Sequence, residues 1–155
     1  MAGSRPTIEF RAVHTPDRPT AVMPVVDGVT LCDLVGAYER KSGYEPWGAY
    51  GGLVPAFFDY GRLTEYLRGD ARQQCPEPGS VWLLACDCGE VGCWPLEVDV
   101  AATPETVTWS GFRQPYRREW SYAAFGPFVF DRREYDAATA HVTELIEAEL
   151  GQEVG

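Results

Sequence analysis

Three of the five cysteines of this chain fall within eight residues, in the segment CDCGEVGCWP that begins at Cys86. Apolar runs flank the segment on both sides, so the pattern predicts a β-hairpin whose tip carries the thiols of Cys86, Cys88 and Cys93. Cys86 and Cys88 are two positions apart, and residues at that spacing on a strand point to the same face. Sulfur concentrated at one turn is typical of a metal knuckle or a redox centre.

Zinc is the candidate cofactor for this turn, because it takes four tetrahedral sulfur or nitrogen ligands in proteins. Cys86, Cys88 and Cys93 would supply three of them. The fourth ligand would have to come from elsewhere in the fold, and the chain offers four candidates for it: Cys75, His14, His141 and Cys32.

Two other roles for the thiols stay open beside zinc. Cys86 and Cys93 could form a disulfide across the hairpin or act as a redox pair, or all three cysteines could simply pack a turn in reduced form, which is the favoured interpretation. Asp87 and Glu90 should raise the pKa of the neighbouring thiols, and no adjacent basic residue is present to lower it. Nucleophilic catalysis by these cysteines is therefore disfavoured.

Two further segments are rich in aromatic residues. Residues 43–61 hold five glycines and six aromatics, a composition common in binding loops, and residues 109–122 mix aromatics with three arginines, as interface hot spots do. The alternative is that the aromatics fill the core and the arginines pair with surface carboxylates. From these segments we predict one partner-binding or ligand-binding face: Trp47, Tyr50, Arg113, Tyr116 and Arg117.

The elements that must position these residues follow from periodicity. Apolar patterns predict strands over residues 7–13, 21–26, 81–85, 96–100, 106–112 and 127–130. Pro24 confines the strand over 21–26 to a sheet edge, because proline cannot donate a ladder hydrogen bond. The strands come in a run instead of alternating with helices. We therefore expect an α+β fold with an antiparallel sheet, a meander with the Cys-rich hairpin turn, packed by two or three helices.

Three helices are predicted, the last of them long. The first runs from an N-cap at Thr30 to Gly43, and a short one spans residues 59–69. The last begins with a capping box of Asp131 and Glu134 and ends at Gly151. Apolar residues at three- and four-residue steps form its stripe, Tyr135, Ala138, Val142, Leu145, Ile146 and Leu150, and we expect it to dock through Tyr135, Val142, Leu145 and Ile146.

Length and charge limit the classes of function. With 155 residues and a net charge of −10, the chain is expected to be a single domain, residues 1–155, that does not bind nucleic acid, because phosphate contacts need a basic field. Neither a signal peptide nor a membrane-spanning run is visible, so we expect a cytoplasmic protein with no membrane partner. Its oligomeric state is not predicted.

Residues 83–98 read LLACDCGEVGCWPLEV, and they are followed by the segment 109–118 and by FGPFVFDRREYDAA. Together they resemble a group of small bacterial proteins with the signature C-x-C-G-x-x-G-C-W-P-L. The resemblance covers about residues 81–138. It brings no established activity, so it implies no role for any residue.

No catalytic residue is predicted, since G-x-S-x-G, H-E-x-x-H, P-loop and G-x-G-x-x-G motifs are all absent. The first hypothesis is therefore that the protein is not an enzyme but a protein-binding or regulatory module. A toxin-neutralising protein is one version of it. The alternative is a small zinc-binding or thiol-redox protein that uses the Cys86, Cys88 and Cys93 hairpin. A third hypothesis is a small-molecule enzyme of unknown class with a pocket around Trp47 and Tyr50.

Overall fold

The computed structural model describes residues 5–70 and 79–154. Within them, two antiparallel sheets and three helices form an α+β fold with a long C-terminal helix, which confirms the predicted class. In chain order the elements are β1 (Ile8–Thr15), β2 (Arg18–Val26), β3 (Val29–Thr30), α1 (Leu31–Lys41), β4 (Tyr50–Gly51), α2 (Leu63–Tyr66), β5 (Ser80–Cys86), β6 (Leu96–Ala102), β7 (Thr106–Arg113), β8 (Phe128–Asp131) and α3 (Arg132–Val154).

The first sheet has the strand order β1, β2, β3, so the prediction that Pro24 confines β2 to an edge is wrong. Val22 exchanges two backbone hydrogen bonds with Leu53, at 2.6 and 3.0 Å, on the side of β2 that faces away from β1. Residues two apart on a strand direct their N–H groups to the same side. Proline has no backbone N–H. At position 24 that N–H would point between the Leu53 bridge and the β3 pairing at Val25, where β2 has no ladder partner, so Pro24 is tolerated there.

The second sheet is a five-stranded meander in the order β4 to β8, and the thiol segment connects β5 to β6. Its alternation agrees with the sequence pattern: Val98 on β6 is fully buried, as are Val107 and Trp109, which share a face of β7. Burying large side chains of this kind contributes about 1.5–3 kcal/mol each. The sheet is therefore the wall against which much of the core packs.

The second helix is much shorter than predicted, four residues instead of the span 59–69. The Asp59 carboxylate accepts the Gly61 N–H at 2.8 Å, and Gly61 has a φ of +70°. A side chain that bonds the backbone two residues on, followed by a left-handed residue, makes a turn that cannot continue as an α-helix. The helix therefore begins only after this turn.

The first helix has the predicted caps. The Thr30 hydroxyl accepts the Asp33 N–H at 3.2 Å, and Gly43, at φ +78°, follows its C-terminal end. Its buried face includes Leu31 and Val35, and also Glu39, whose side chain is completely enclosed.

The last helix begins at the predicted place, and three of the four residues expected to dock it, Tyr135, Val142 and Ile146, are buried. Asp131 caps the Glu134 N–H at 3.1 Å, while the Glu134 carboxylate accepts the N–H of Ile8 at 2.8 Å and so ties α3 to β1. Leu145 is 43% exposed, so the prediction that it docks the helix is wrong. Successive residues of an α-helix are rotated by about 100°, so Leu145 lies beside the buried stripe that contains Val142.

The C-terminal end of α3 was predicted at Gly151 and instead lies at Val154. A glycine inside a helix costs only about 1 kcal/mol relative to alanine, so it does not by itself end one. The Leu150 side chain falls outside the described part of the structure. Among the described residues, no helix combines the length and the apolar character needed to cross a bilayer.

Candidate metal centre and aromatic surface

The thiol segment is folded into two successive tight turns. The Gly89 N–H donates to the Cys86 carbonyl at 2.9 Å, which closes the first turn, and the Cys93 N–H donates to the Glu90 carbonyl at 3.3 Å, which closes the second. Gly89 has a φ of +96°, and a Cβ there would lie 2.7 Å from the Phe57 ring. Glycine is favoured at this position because both its backbone angle and its contact with the Phe57 ring disfavour a side chain.

These turns bring the three predicted thiols together. The sulfurs of Cys86, Cys88 and Cys93 all lie within 4.8 Å of one another. In a tetrahedral site with Zn–S bonds of about 2.3 Å, the sulfurs stand about 3.8 Å apart, so a small contraction suffices to coordinate one ion. Cys88 and Cys93 are exposed and Cys86 is partly exposed. The cluster is thus open to an ion from solution.

The thiols differ in acidity. Burial raises the pKa of Cys86 to about 12, the backbone N–H of Cys88 opposes the rise, and the side chains of Cys88, Asp87 and Cys93 add to it. The pKa of Cys88 is instead lowered, first by a hydrogen bond from the backbone N–H of Glu90 and then by the neighbouring Cys86 thiol. Asp87 raises the pKa of Cys88, as expected, but the hydrogen bonds outweigh it, and sequence does not show where a backbone N–H points.

The structure also tests three of the four candidates for a fourth ligand. None of them belongs to the cluster of metal-ligating groups found in residues 5–70 and 79–154. His14 bonds the Thr20 hydroxyl, Cys32 donates to the Tyr50 carbonyl at 3.3 Å, and His141 lines the groove between β1 and α3. Cys75 lies outside the described residues.

Of the residues predicted to form one binding face, Trp47 and Tyr50 line one cavity, and Arg113 and Arg117 line another. Trp47 is 49% exposed, with the Arg40 guanidinium 5.3 Å from its ring centre, whereas Tyr50 is 5% exposed. Arg113 is held by Glu97 at 3.0 Å and by Asp99 at 3.1 Å. These ion pairs agree with the alternative interpretation, in which the arginines pair with surface carboxylates.

Tyr116 and Arg117 do come together, on the indole of Trp94. The Tyr116 ring stacks on Trp94 with centroids 6.2 Å apart, and the Arg117 guanidinium lies 5.1 Å from the Trp94 ring centre. Trp120 meets the same indole edge-on at 6.0 Å. We call these four residues the Trp94 cluster. The Tyr116 hydroxyl also donates to the Gly92 carbonyl, which joins the cluster to the thiol segment.

Tyr50 takes part in a buried polar network. The enclosed Glu39 carboxyl accepts hydrogen bonds from the Tyr50 hydroxyl at 2.7 Å, the Tyr122 hydroxyl at 2.5 Å and the Gly48 N–H at 2.8 Å. Burial raises the pKa of both tyrosines, and the nearby carboxyl group adds to the rise. Gln114 extends the network by donating to the Tyr50 hydroxyl and to a carbonyl of the thiol segment.

Sequence reasoning missed Trp94 and Glu39 as members of these sites. Trp94 directly follows Cys93, so its place beside the thiols was readable from the motif. Glu39 continues the four-residue spacing of Leu31 and Val35, which places it on the buried face of α1. A charged residue in an apolar stripe was therefore the available signal for a buried polar network.

Comparison with protein-family models, with curated proteins and with solved structures finds no match in any of the three. The resemblance of residues 81–138 to the small bacterial proteins brings no activity to this chain either. Any function proposed for the protein therefore rests on the chemistry of its own side chains.

Proposed function

We propose that this is a zinc-binding protein whose metal centre is held by Cys86, Cys88 and Cys93. The observation that supports it is the convergence of three sulfurs within 4.8 Å at a turn. Zinc binds thiolate sulfur and arranges its four ligands tetrahedrally. Thiolate ligands also select zinc over hard cations such as magnesium.

The surroundings of the turn favour binding of a divalent cation. Cys88 has a lowered pKa, which increases the fraction of thiolate available to a metal. Asp87 and Glu90 add negative charge beside the sulfurs. In a reducing compartment such as the cytoplasm the thiols stay free of disulfides, so they remain available as ligands.

The test is the metal content of protein purified without chelators. We expect about one zinc per chain in the wild type and none in the Cys86→Ser/Cys88→Ser/Cys93→Ser variant, as measured by elemental analysis. Cys32→Ser is the matched control, because Cys32 is a free thiol outside the cluster. Wild-type protein without zinc would contradict the proposal, as would a triple variant that keeps it.

A second proposal, protein binding, is favoured by the Trp94 cluster. Tyr116 is 51% exposed, and Arg117 lies over the Trp94 ring. Half-exposed aromatics beside an arginine are typical of interface hot spots. The acidic chain suits a basic or neutral partner, and a toxin bound by a neutralising protein would be one example.

This second proposal is tested by alanine substitution at Trp47, Tyr116 and Arg117. A partner that co-purifies with the chain should lose more than about 1 kcal/mol of binding free energy per truncation, with the unfolding free energy retained. Tyr50 and Arg113 belong to the predicted face, but their contacts lie within the protein, so their truncation should lower stability as well. Binding that is unchanged by the first three substitutions would contradict the proposal.

A further inference from the structure

A cavity of about 450 Å³ lies beside the thiol turn. This volume falls within the range of about 300–1,000 Å³ that is typical of small-molecule sites. Cys86 and Cys88 line the cavity and also belong to the sulfur cluster, whereas Cys93 does not line it, so the cavity borders the cluster on the side of these two cysteines. The cavity and the cluster thus form one continuous site.

The cavity is walled mainly by apolar side chains. Val13 and Ala21 lie opposite each other on β1 and β2, so both reach it from the same face of the first sheet. Other apolar walls come from the same sheet and from the loop after β4. The apolar side chains that line it are Val13, Pro19, Ala21, Met23, Val54 and Phe57.

The polar side chains that line the cavity come from the tip of the β1–β2 hairpin, with Thr15, Asp17 and Arg18, and from the thiol turn, with Asp87. Arg18 is exposed, and its Nη1 donates to the Asp87 carbonyl at 3.1 Å. Asp87 lies between the two cysteines that line the cavity. A molecule that fits here therefore needs an apolar body and one polar atom, located at the end that meets the sulfurs.

We infer that the cavity binds a small apolar thiol, whose sulfur occupies the fourth coordination position of the zinc. This inference rests on the proposed zinc centre. Three protein ligands leave one tetrahedral position, and a soft sulfur donor matches a zinc already bound by thiolates. On binding, the S–H proton passes to solvent, a Zn–S bond forms and a metal-bound water leaves. No oxidation or reduction takes place.

The experiment uses the full chain loaded with cobalt in place of zinc, because the visible absorption of cobalt reports the number of sulfur ligands. The probes are ethanethiol, butanethiol and hexanethiol, titrated into wild-type protein while metal content is measured in parallel. We expect a shift towards the spectrum of four-sulfur coordination. Binding should tighten about three- to fourfold for each methylene added, the increment for burying one such group.

Filling the cavity provides the decisive variant. Ala21→Leu adds bulk to the wall and should keep the metal while weakening hexanethiol binding by at least about tenfold. Ala101→Leu is the matched control, because it makes the same change at an exposed strand position outside the cavity lining. If the Ala21→Leu variant does not fold, the smaller change Val13→Ile in the same wall takes its place.

The outcomes separate this inference from the proposed function. A wild-type chain that binds no metal overturns both. A chain that holds cobalt but shows no thiol-dependent shift, no dependence on chain length or no loss in Ala21→Leu overturns the thiol site alone. A four-sulfur spectrum before any thiol is added, lost in Cys75→Ser, would show that Cys75 fills the fourth position and would overturn it too.

Discussion

Two clusters of polar side chains lie near each other in this protein and are built in opposite ways. The Glu39 carboxyl is fully enclosed, and its hydrogen-bonding capacity is met by two tyrosine hydroxyls and a backbone N–H. The sulfurs of Cys86, Cys88 and Cys93 lie together at an exposed turn, with coordination capacity that the described side chains do not fill. A satisfied cluster serves the fold, whereas an unfilled one is the place to look for a ligand.

The largest expected effect comes from breaking the enclosed cluster. Glu39→Ala should lower the unfolding free energy by about 3–5 kcal/mol, because it leaves three buried donors without an acceptor. Urea denaturation of the metal-free protein measures this change. Glu144→Ala is the control, since it makes the same substitution at an exposed helical position. Equal stability of the two variants would remove the distinction between the clusters.

Filling the open cluster should have the next largest effect. Zinc at a free concentration of about one hundred times its Kd should raise the unfolding free energy by about 2.7 kcal/mol. The gain should vanish in the Cys86→Ser/Cys88→Ser/Cys93→Ser variant and remain in Glu144→Ala. Thermal melts recorded with and without zinc test this, and a shift that persists in the triple variant would place the metal elsewhere.

A smaller effect should follow from changing the turn that brings the sulfurs together. Gly89→Ala should lower the unfolding free energy of the metal-free protein by about 1–2 kcal/mol, because a side chain at positive φ is strained. It should also weaken zinc binding by moving Cys88. Gly92→Ala is a matched control within the same segment, because a Cβ at Gly92 meets no atom within 4 Å. Identical zinc affinities for the two variants would show that the turn geometry does not organise the site.

The smallest effect is expected at Leu145 on α3, which is compared with its buried neighbour Ile146. Leu145→Ala should lower the unfolding free energy by less than about 1 kcal/mol, since that side chain is 43% exposed. Ile146→Ala, next to it and only 5% exposed, should cost about 2–5 kcal/mol. If the two costs prove equal, Leu145 contributes to packing and exposure is a poor guide to energetic role here.

The sequence predicted what depends on local periodicity and spacing. It gave the antiparallel strands, the caps at Thr30 and Asp131, and the thiols at one turn, because each depends on residues close in the chain. It could not show that Val22 bridges to Leu53, so Pro24 was assigned to an edge strand. It also could not show that the Glu90 N–H points at Cys88, since backbone direction inside a turn is not encoded in residue types.

The proposed binding face shows the same limit over longer distances. Tyr116 and Arg117 are adjacent in sequence and meet on Trp94, whereas Trp47 lies beside Arg40 and Arg113 pairs with carboxylates. Composition identifies residues suited to an interface. It does not show which of them the fold uses for its own contacts, because an ion pair or a buried hydroxyl forms only after distant strands meet.

The backbone of Asp87 is hydrogen-bonded to two separate parts of the chain. Its N–H donates to the Ala49 carbonyl at 3.2 Å, and its carbonyl accepts from Arg18, at the tip of the β1–β2 hairpin in the other sheet. Fixing the turn with a metal would therefore damp motion in a hairpin that supplies no metal ligand. A fluorophore attached at position 17 would then report, from the opposite sheet, whether metal loading at the thiol turn changes the motion of the hairpin.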